Sequence, residues 1–376
     1  MNKSKKKIKL QEYIGFLFLI LIGAISGFVM VMYLDRYAED LPLYKQLLSL
    51  LALFIGMYAA SFIHMILHEA GHLVFGLMTG YKFNSFRIAS FMWIRENGKL
   101  RLKRHSLAGT GGQCLMTPPD IKDGKFPLVL YNLGGSIVNA VIGALFLLGY
   151  FLVPSSPIIS AVFMIFAVVG FISAATNGIP MRMGTIDNDG YNAFSASRSN
   201  EAAEALWLQL KVVEQNSRGI RLKDMPAEWF TVPTDEEMKN SMVAVRGVFA
   251  ANRLMDEERF EEADALMEHL LDIESGIVGL HRDLLVCDRI YIELIRENRR
   301  EKILDMLTKE QHKFMKSMKC YPSVLRTQYA IAAIYEKDMA KAESISYEFE
   351  KISKTYPYPQ EIEAERALMN IINNMM

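Results

Sequence analysis

The sequence predicts a mainly α protein in two parts: a polytopic transmembrane helical bundle with a β-hairpin at the membrane face, then a soluble α-helical domain. Three observations predict it. The chain is 51% hydrophobic, and its apolar residues are gathered so that 13–34, 46–67 and 126–181 hold no Asp, Glu, Lys or Arg. Residues 85–106 alternate apolar and polar on both sides of Asn97-Gly98. From about 191 onward the apolar residues recur at helical spacing.

The hydrocarbon core of a bilayer asks for about 20 consecutive apolar residues in a helix. The stretch 126–181 is too long for one crossing, and VPSSP at 153–157 divides it. Four spans are expected, at 13–33, 46–79, 126–152 and 157–177. The second is long, roughly 50 Å at about 1.5 Å per residue, so it must tilt or protrude. The first follows a basic segment but is too long for a signal-peptide core and lacks a clear cleavage pattern, which makes it a retained anchor.

Lysine and arginine placement sets the orientation. Lys3, Lys5, Lys6, Lys7 and Lys9 precede the first span. The loop 80–125 carries nine basic residues, whereas 34–45 carries only Arg36 and Lys45. Both basic segments are expected in the cytoplasm, with the two termini and everything beyond 182. The membrane half is net basic and the tail net acidic, and nothing suggests nucleic acid. Cys114, Cys287 and Cys320 are scattered, without disulfide or metal spacing.

Asn97-Gly98 is a strong hairpin signal. GTGGQ (109–113) and TPPD (117–120) read as loop. In the tail, TVPTDEE (231–237) reads as a linker and helix start, with Thr234 and Glu237 at capping-box spacing. The segments around Ala263–Leu270 and Tyr329–Phe349 resemble tetratricopeptide-type helix pairs. Their period is irregular, and a generic helical domain accounts for them equally well.

Chemistry concentrates in HEAGH, residues 68–72. His68 and His72, four residues apart, project from one helix face and can grip one metal ion; Glu69 sits one position round, where it can reach a metal-activated water. Apart from His64 and two tyrosines these are the only ionisable groups between Lys45 and Lys82, and such groups at membrane depth are costly and usually functional. His64 is expected to pack or hydrogen-bond rather than ligate. A catalytic zinc takes three protein ligands and a water. No later histidine lies in a span, so the third ligand is expected to be a carboxylate, Asp187 or Asp189, in the Pro180- and Gly184-interrupted segment 177–190. The plain alternative there is a turn with Asn188 or Asp189 capping the next helix.

HEAGH within a span, followed by Asn177, Pro180, Asp189 and Gly190 in an N-x-x-P…D-G order, resembles the site-2 protease family of intramembrane zinc metalloproteases. The resemblance covers roughly 46–195. It implies one zinc per chain on His68, His72 and Asp189, Glu69 as general base and acid, and Asn177 as a substrate-positioning residue. GGSIVN (134–139) resembles the family's G-x-x-x-N stretch, which makes Asn139 a second substrate-positioning candidate; helix packing through Gly134, Gly135 and Ser136 explains it equally well. The spacing from Pro180 to Asp-Gly is longer than usual in the family and keeps Asp187 a competing ligand. No room is left for the PDZ domain that many bacterial members insert.

The organisation expected is thus an anchor span and loop at 1–45, a membrane metalloprotease core at 46–195, and a cytoplasmic helical domain at 196–376. The resemblance implies hydrolysis of membrane-spanning protein or peptide substrates in a lipid bilayer, that of a bacterial cell membrane, with the hairpin edge offered to an extended strand. The alternative is a non-catalytic membrane scaffold whose helical tail binds cytoplasmic protein partners; the glutamate of HEAGH would then have no use.

Overall fold

A computed structural model describes residues 20–375, excepting 21–22, 25, 36–37, 97, 106–110, 123, 154–155 and 184–185. The chain forms two compact units. One comprises residues up to Gly80 with Pro127–Ser197. The other comprises Tyr81–Phe126 with Arg198–Met376. The sheet thus shares a unit with the tail helices, a division that does not follow the chain order of the three expected segments.

In the first unit, α1 (Ser26–Asp35) is a short apolar helix. The rest of the expected first span lies largely outside the described residues. Three described helices are long and apolar enough to cross a membrane: α2 (Leu43–Met78), α3 (Leu128–Leu152) and α4 (Pro157–Gly178). VPSSP separates α3 from α4, and Pro157 takes the first turn of α4, where its missing N–H is no loss. Tyr33 of α1 donates to the Pro157 carbonyl at 2.6 Å. Large apolar side chains such as Phe54, Ile55 and Tyr58 on α2 and Phe151 and Leu152 on α3 are exposed, as lipid-facing surface requires. Beyond α4, Ile179-Pro180 is not helical, a two-residue-strand ribbon follows, β5 (Arg182–Met183) with β6 (Ile186–Asp187), and α5 (Asp189–Ala196) closes the unit.

α2 buries a stripe at four-residue intervals: Ala60, His64, His68, His72 and Gly76. That period keeps one face turned to α3 and α4 over more than four turns. Close approach depends on glycine. A Cβ on Gly71 would lie 2.4 Å from the Gly134 carbonyl oxygen, and one on Gly135 would lie 2.5 Å from the His68 ring. The Gly134-Gly135 pair therefore packs helices and also makes room for a histidine.

In the second unit, β1 (Lys82–Ile88), β2 (Phe91–Glu96), β3 (Lys99–Arg104) and β4 (Gly112–Thr117) form an antiparallel sheet ordered β3-β2-β1-β4. The expected hairpin is β2–β3, closed by two residues with Gly98 at φ 78°. It is half of the sheet. A second tight turn, with Ala89 at φ 51°, joins β1 to β2. Gly112 and Gln113 of the expected GTGGQ loop and Thr117 of the expected TPPD loop belong to β4, because that segment pairs with β1 and buries Cys114 and Met116.

The tail is helical throughout: α6 (Asn200–Ser217), α7 (Ser241–Asp256), α8 (Phe260–Asp272), α9 (Gly279–Ile295), α10 (Arg300–Met306), α11 (Lys309–Ser317), α12 (Pro322–Ala330), α13 (Met339–Ser353) and α14 (Pro359–Met375). Ser199, Asn240, Thr308 and Asp338 cap α6, α7, α11 and α13. Thr234 and Glu237 do form the reciprocal box, with the Thr234 amide donating to Glu237 at 2.8 Å, but it caps one 3-10 turn at Glu237–Lys239. Asn240 starts the α-helix. One core runs from Met238 to Ile372 and includes Ala263, Met267, Leu270, Tyr329, Ile345 and Phe349.

Candidate metal centre

Both HEAGH histidines point their Nε2 atoms to the aspartate before Gly190. His68 Nε2 lies 2.9 Å and His72 Nε2 3.3 Å from Asp189 Oδ2, and the two nitrogens are 3.1 Å apart. Among the described residues, His68, His72 and Asp189 are the group of His, Cys, Asp and Glu side chains that could hold a metal ion. Asp187 is not in it and lies on β6, opposite Arg182 in register.

The segment reaches the site through Asn188. Its side-chain oxygen accepts from the Tyr191 amide at 2.8 Å, capping α5, and from the Met181 amide at 3.0 Å. Its amide donates to the carbonyls of Thr176 and Ile179 at 2.8 and 2.7 Å, which ties α5 to the end of α4. Gly190 permits the approach, since a Cβ there would sit 2.3 Å from the Gly178 carbonyl oxygen. Capping and ligation are therefore not alternatives: Asn188 caps, and Asp189, one residue on, faces the histidines.

Hydrogen-bond accounting fixes what the ring nitrogens offer. The Tyr131 carbonyl can only accept, so His72 Nδ1 donates to it at 2.7 Å, and a neutral His72 then has its lone pair at Nε2. His64, fully buried, likewise donates from Nε2 to the Phe166 carbonyl at 3.0 Å. A neutral His64 then has only an acceptor at Nδ1, 3.1 Å from the Asn139 side-chain amide. The amide must turn its NH2 to His64 and its oxygen to His68 Nδ1, 3.3 Å away on the other side. The opposite orientation would leave protons on both nitrogens of His64, with no carboxylate within ion-pair distance among the described residues. Oxygen and nitrogen ends of an amide are distinguished by such networks. With the amide so turned, His68 Nδ1 donates to Asn139 and His68 Nε2, like that of His72, presents a lone pair.

With both rings neutral, two lone pairs and a carboxylate oxygen converge on one point, a donor set that suits a cation. Tetrahedral zinc with nitrogen and oxygen bonds of about 2.0–2.2 Å separates neighbouring donors by roughly 3.3 Å. The observed spacings of 2.9–3.3 Å match with little adjustment. The donor set, two imidazoles and one carboxylate, also suits zinc.

Residues 46–185 match the Peptidase M50B-like family. That family model is one of the site-2 protease family. The match takes in HEAGH, Asn139, Asn177 and Pro180 and ends four residues before Asp189. The chain is accordingly a membrane protein carrying a metallopeptidase-family segment. No curated protein and no solved structure matches it.

Glu69 is buried beside His68. Asn139 is fully buried between His64 and His68, so it contacts a histidine face rather than an open cleft. Asn177 turns back onto its own helix, donating to the Ser173 carbonyl at 3.0 Å. The spacing of His64, His68 and His72 marked one helix face in advance. Nothing in the sequence marks the Tyr131 carbonyl, because a backbone acceptor has no residue signature.

Proposed function

We propose that the protein is an intramembrane zinc metalloprotease that hydrolyses peptide bonds of membrane-anchored protein or peptide substrates. The convergence of His68 Nε2, His72 Nε2 and Asp189 Oδ2 supports the reading most directly. His68, His72 and Asp189 would hold the ion. Bound zinc supplies Lewis acidity toward a carbonyl and lowers the pKa of a coordinated water to about 7.

The chain's own residues do the rest. Glu69 takes a proton from the attacking water as its oxygen adds to the scissile carbonyl carbon. The carbon–nitrogen bond then breaks, and Glu69 passes that proton to the leaving amine. Asn139 and the Tyr131 carbonyl hold both imidazoles in the tautomer a metal needs, a supporting layer that typically changes metal affinity 10–100-fold. Asn139 is thus a positioning residue for His68, and substrate placement falls to Asn177. The β3 edge, with Leu100 and Leu102 exposed, suits pairing with an unwound substrate strand.

The basic flanks support a topology of four spans with both termini in the cytoplasm, which reporter fusions at each terminus would check; an external terminus would contradict it. The family resemblance points to a membrane-anchored regulator, a signal-peptide remnant or a peptide precursor as substrate. The deciding experiment compares wild type with Glu69→Gln for zinc content and for cleavage of a transmembrane reporter. Both forms should hold one zinc, and the variant should lose activity by about 10³-fold or more. A wild type without zinc, or equal cleavage by both, would overturn the proposal.

A further inference from the structure

The second unit contains a cavity of about 400 Å³, lined by the sheet, by α6, α7 and α9, and by the last helices. That is the small end of the range for small-molecule sites, roughly 300–1,000 Å³. Its walls are acidic, and the two arginines that line it are already engaged. Arg221 pairs with Asp256 at 2.5 Å, and Arg326 with Asp288 at 2.5 Å and Glu365 at 2.9 Å. Glu361 is different. It accepts from the Asn216 amide at 2.9 Å and the Tyr356 hydroxyl at 2.8 Å, and no cation pairs with it among the described residues.

A second observation points the same way. Gln360, 5% exposed, also lines the cavity, and its Nε2 donates to the Asn216 carbonyl at 2.5 Å. A carbonyl can only accept, so the amide cannot be turned round. Its oxygen is sealed from solvent and has no donor among the described residues. His281 contributes another sealed atom without a partner, Nδ1, and burial keeps this ring neutral, with its pKa lowered to about 4. Beside Glu361, the rings of Tyr356 and Tyr358 meet edge to face at 6.1 Å, and His105 stands edge-on to Tyr356 at 5.3 Å. The unfilled Gln360 oxygen is an acceptor one residue from a carboxylate without a counter-ion among the described residues, next to aromatic rings. What fits is a planar cation with donors in several directions.

We propose that this cavity binds a guanidinium group, carried by a small molecule or by an arginine side chain of a short peptide. The guanidinium would donate to Glu361 and to the Gln360 oxygen and lie against the tyrosines. The site is independent of the metal centre and of the protease assignment.

Titration calorimetry on the full-length protein in detergent tests it with three probes: butylguanidine, acetyl-Gly-Arg-Gly-amide, and the same tripeptide with citrulline, an uncharged isostere of arginine. At least one charged probe should bind, with the citrulline peptide about tenfold or more weaker. Binding of butylguanidine identifies a small-molecule site; binding of the arginine peptide alone identifies a peptide site. Glu361→Gln should weaken the charged probe by about tenfold or more, whereas Glu310→Gln, on the exposed face of α11, should leave it unchanged. The wild-type comparison of charged and uncharged probes decides the matter even where the variant is unstable. No heat from either charged probe at about 10 mM, or equal binding of the citrulline peptide, would overturn the proposal.

Discussion

The two units bury polar side chains to opposite ends. In the tail, buried charges neutralise one another: Arg326, 1% exposed, holds Asp288 and Glu365 and lies 4.2 Å from the Tyr291 ring centroid, while Arg289 holds Asp264 and Glu268. Among the membrane helices, the chain from Phe166 through His64, Asn139 and His68 is satisfied at every link until it ends in lone pairs on His68 and His72 facing Asp189. A network that closes on itself specifies a fold, and one that converges on unfilled acceptors specifies a ligand. Glu361 and Gln360 are where the tail departs from its own pattern.

The largest expected effect breaks the closed network. Arg326→Leu leaves Asp288 and Glu365 buried without a cation and should destabilise the tail by roughly 3–5 kcal/mol. All three tryptophans, Trp93, Trp207 and Trp229, lie in the second unit, so their fluorescence reports its unfolding. Zinc content should not change; loss of zinc in this variant would blur the distinction between the two networks.

Next comes the converging network. Asn139→Leu removes the acceptor that sets the His68 tautomer, and zinc affinity should fall about 10–100-fold, as for other residues supporting metal ligands. Competition with a fluorescent chelator measures it. Unchanged affinity would mean that His68 needs no help from the amide.

The smallest effect is a pH dependence. Burial, with Glu365 and Asp256 nearby, raises the Glu361 pKa to about 7 against the hydrogen bond from Tyr356. The folded state therefore holds that proton over a range where the unfolded state has lost it, so this residue lowers stability as pH rises from about 4.5 to 7, by roughly 3 kcal/mol. His105 and His281, held neutral with pKa about 4, act in the opposite direction below about 6.5. The Glu361 part is read as the difference between wild type and Glu361→Gln in urea titrations followed by tryptophan fluorescence. Parallel curves from pH 5 to 8 would contradict it.

Much of this was legible in the sequence, for reasons that differ by element. The span boundaries follow from charge-free runs and VPSSP, because bilayer length is a one-dimensional constraint. HEAGH is legible because helix geometry alone brings His68 to His72. Asp189 is separated from them by more than a hundred residues, and only the fold brings it to the pair. β4 was hidden because glycines at a strand start look like loop until a partner strand is known. The cavity was hidden altogether, since its walls come from the sheet and several separate helices. Its residues share no local pattern.

The proposed function requires zinc on His68, His72 and Asp189. Zinc per chain, measured by mass spectrometry on purified wild type, Asp187→Asn and Asp189→Asn after dialysis against a mild chelator, tests it most directly. The account predicts one zinc in wild type and in Asp187→Asn and a loss of most of it in Asp189→Asn, about 10-fold or more in affinity. Zinc retained by Asp189→Asn and lost by Asp187→Asn would contradict it.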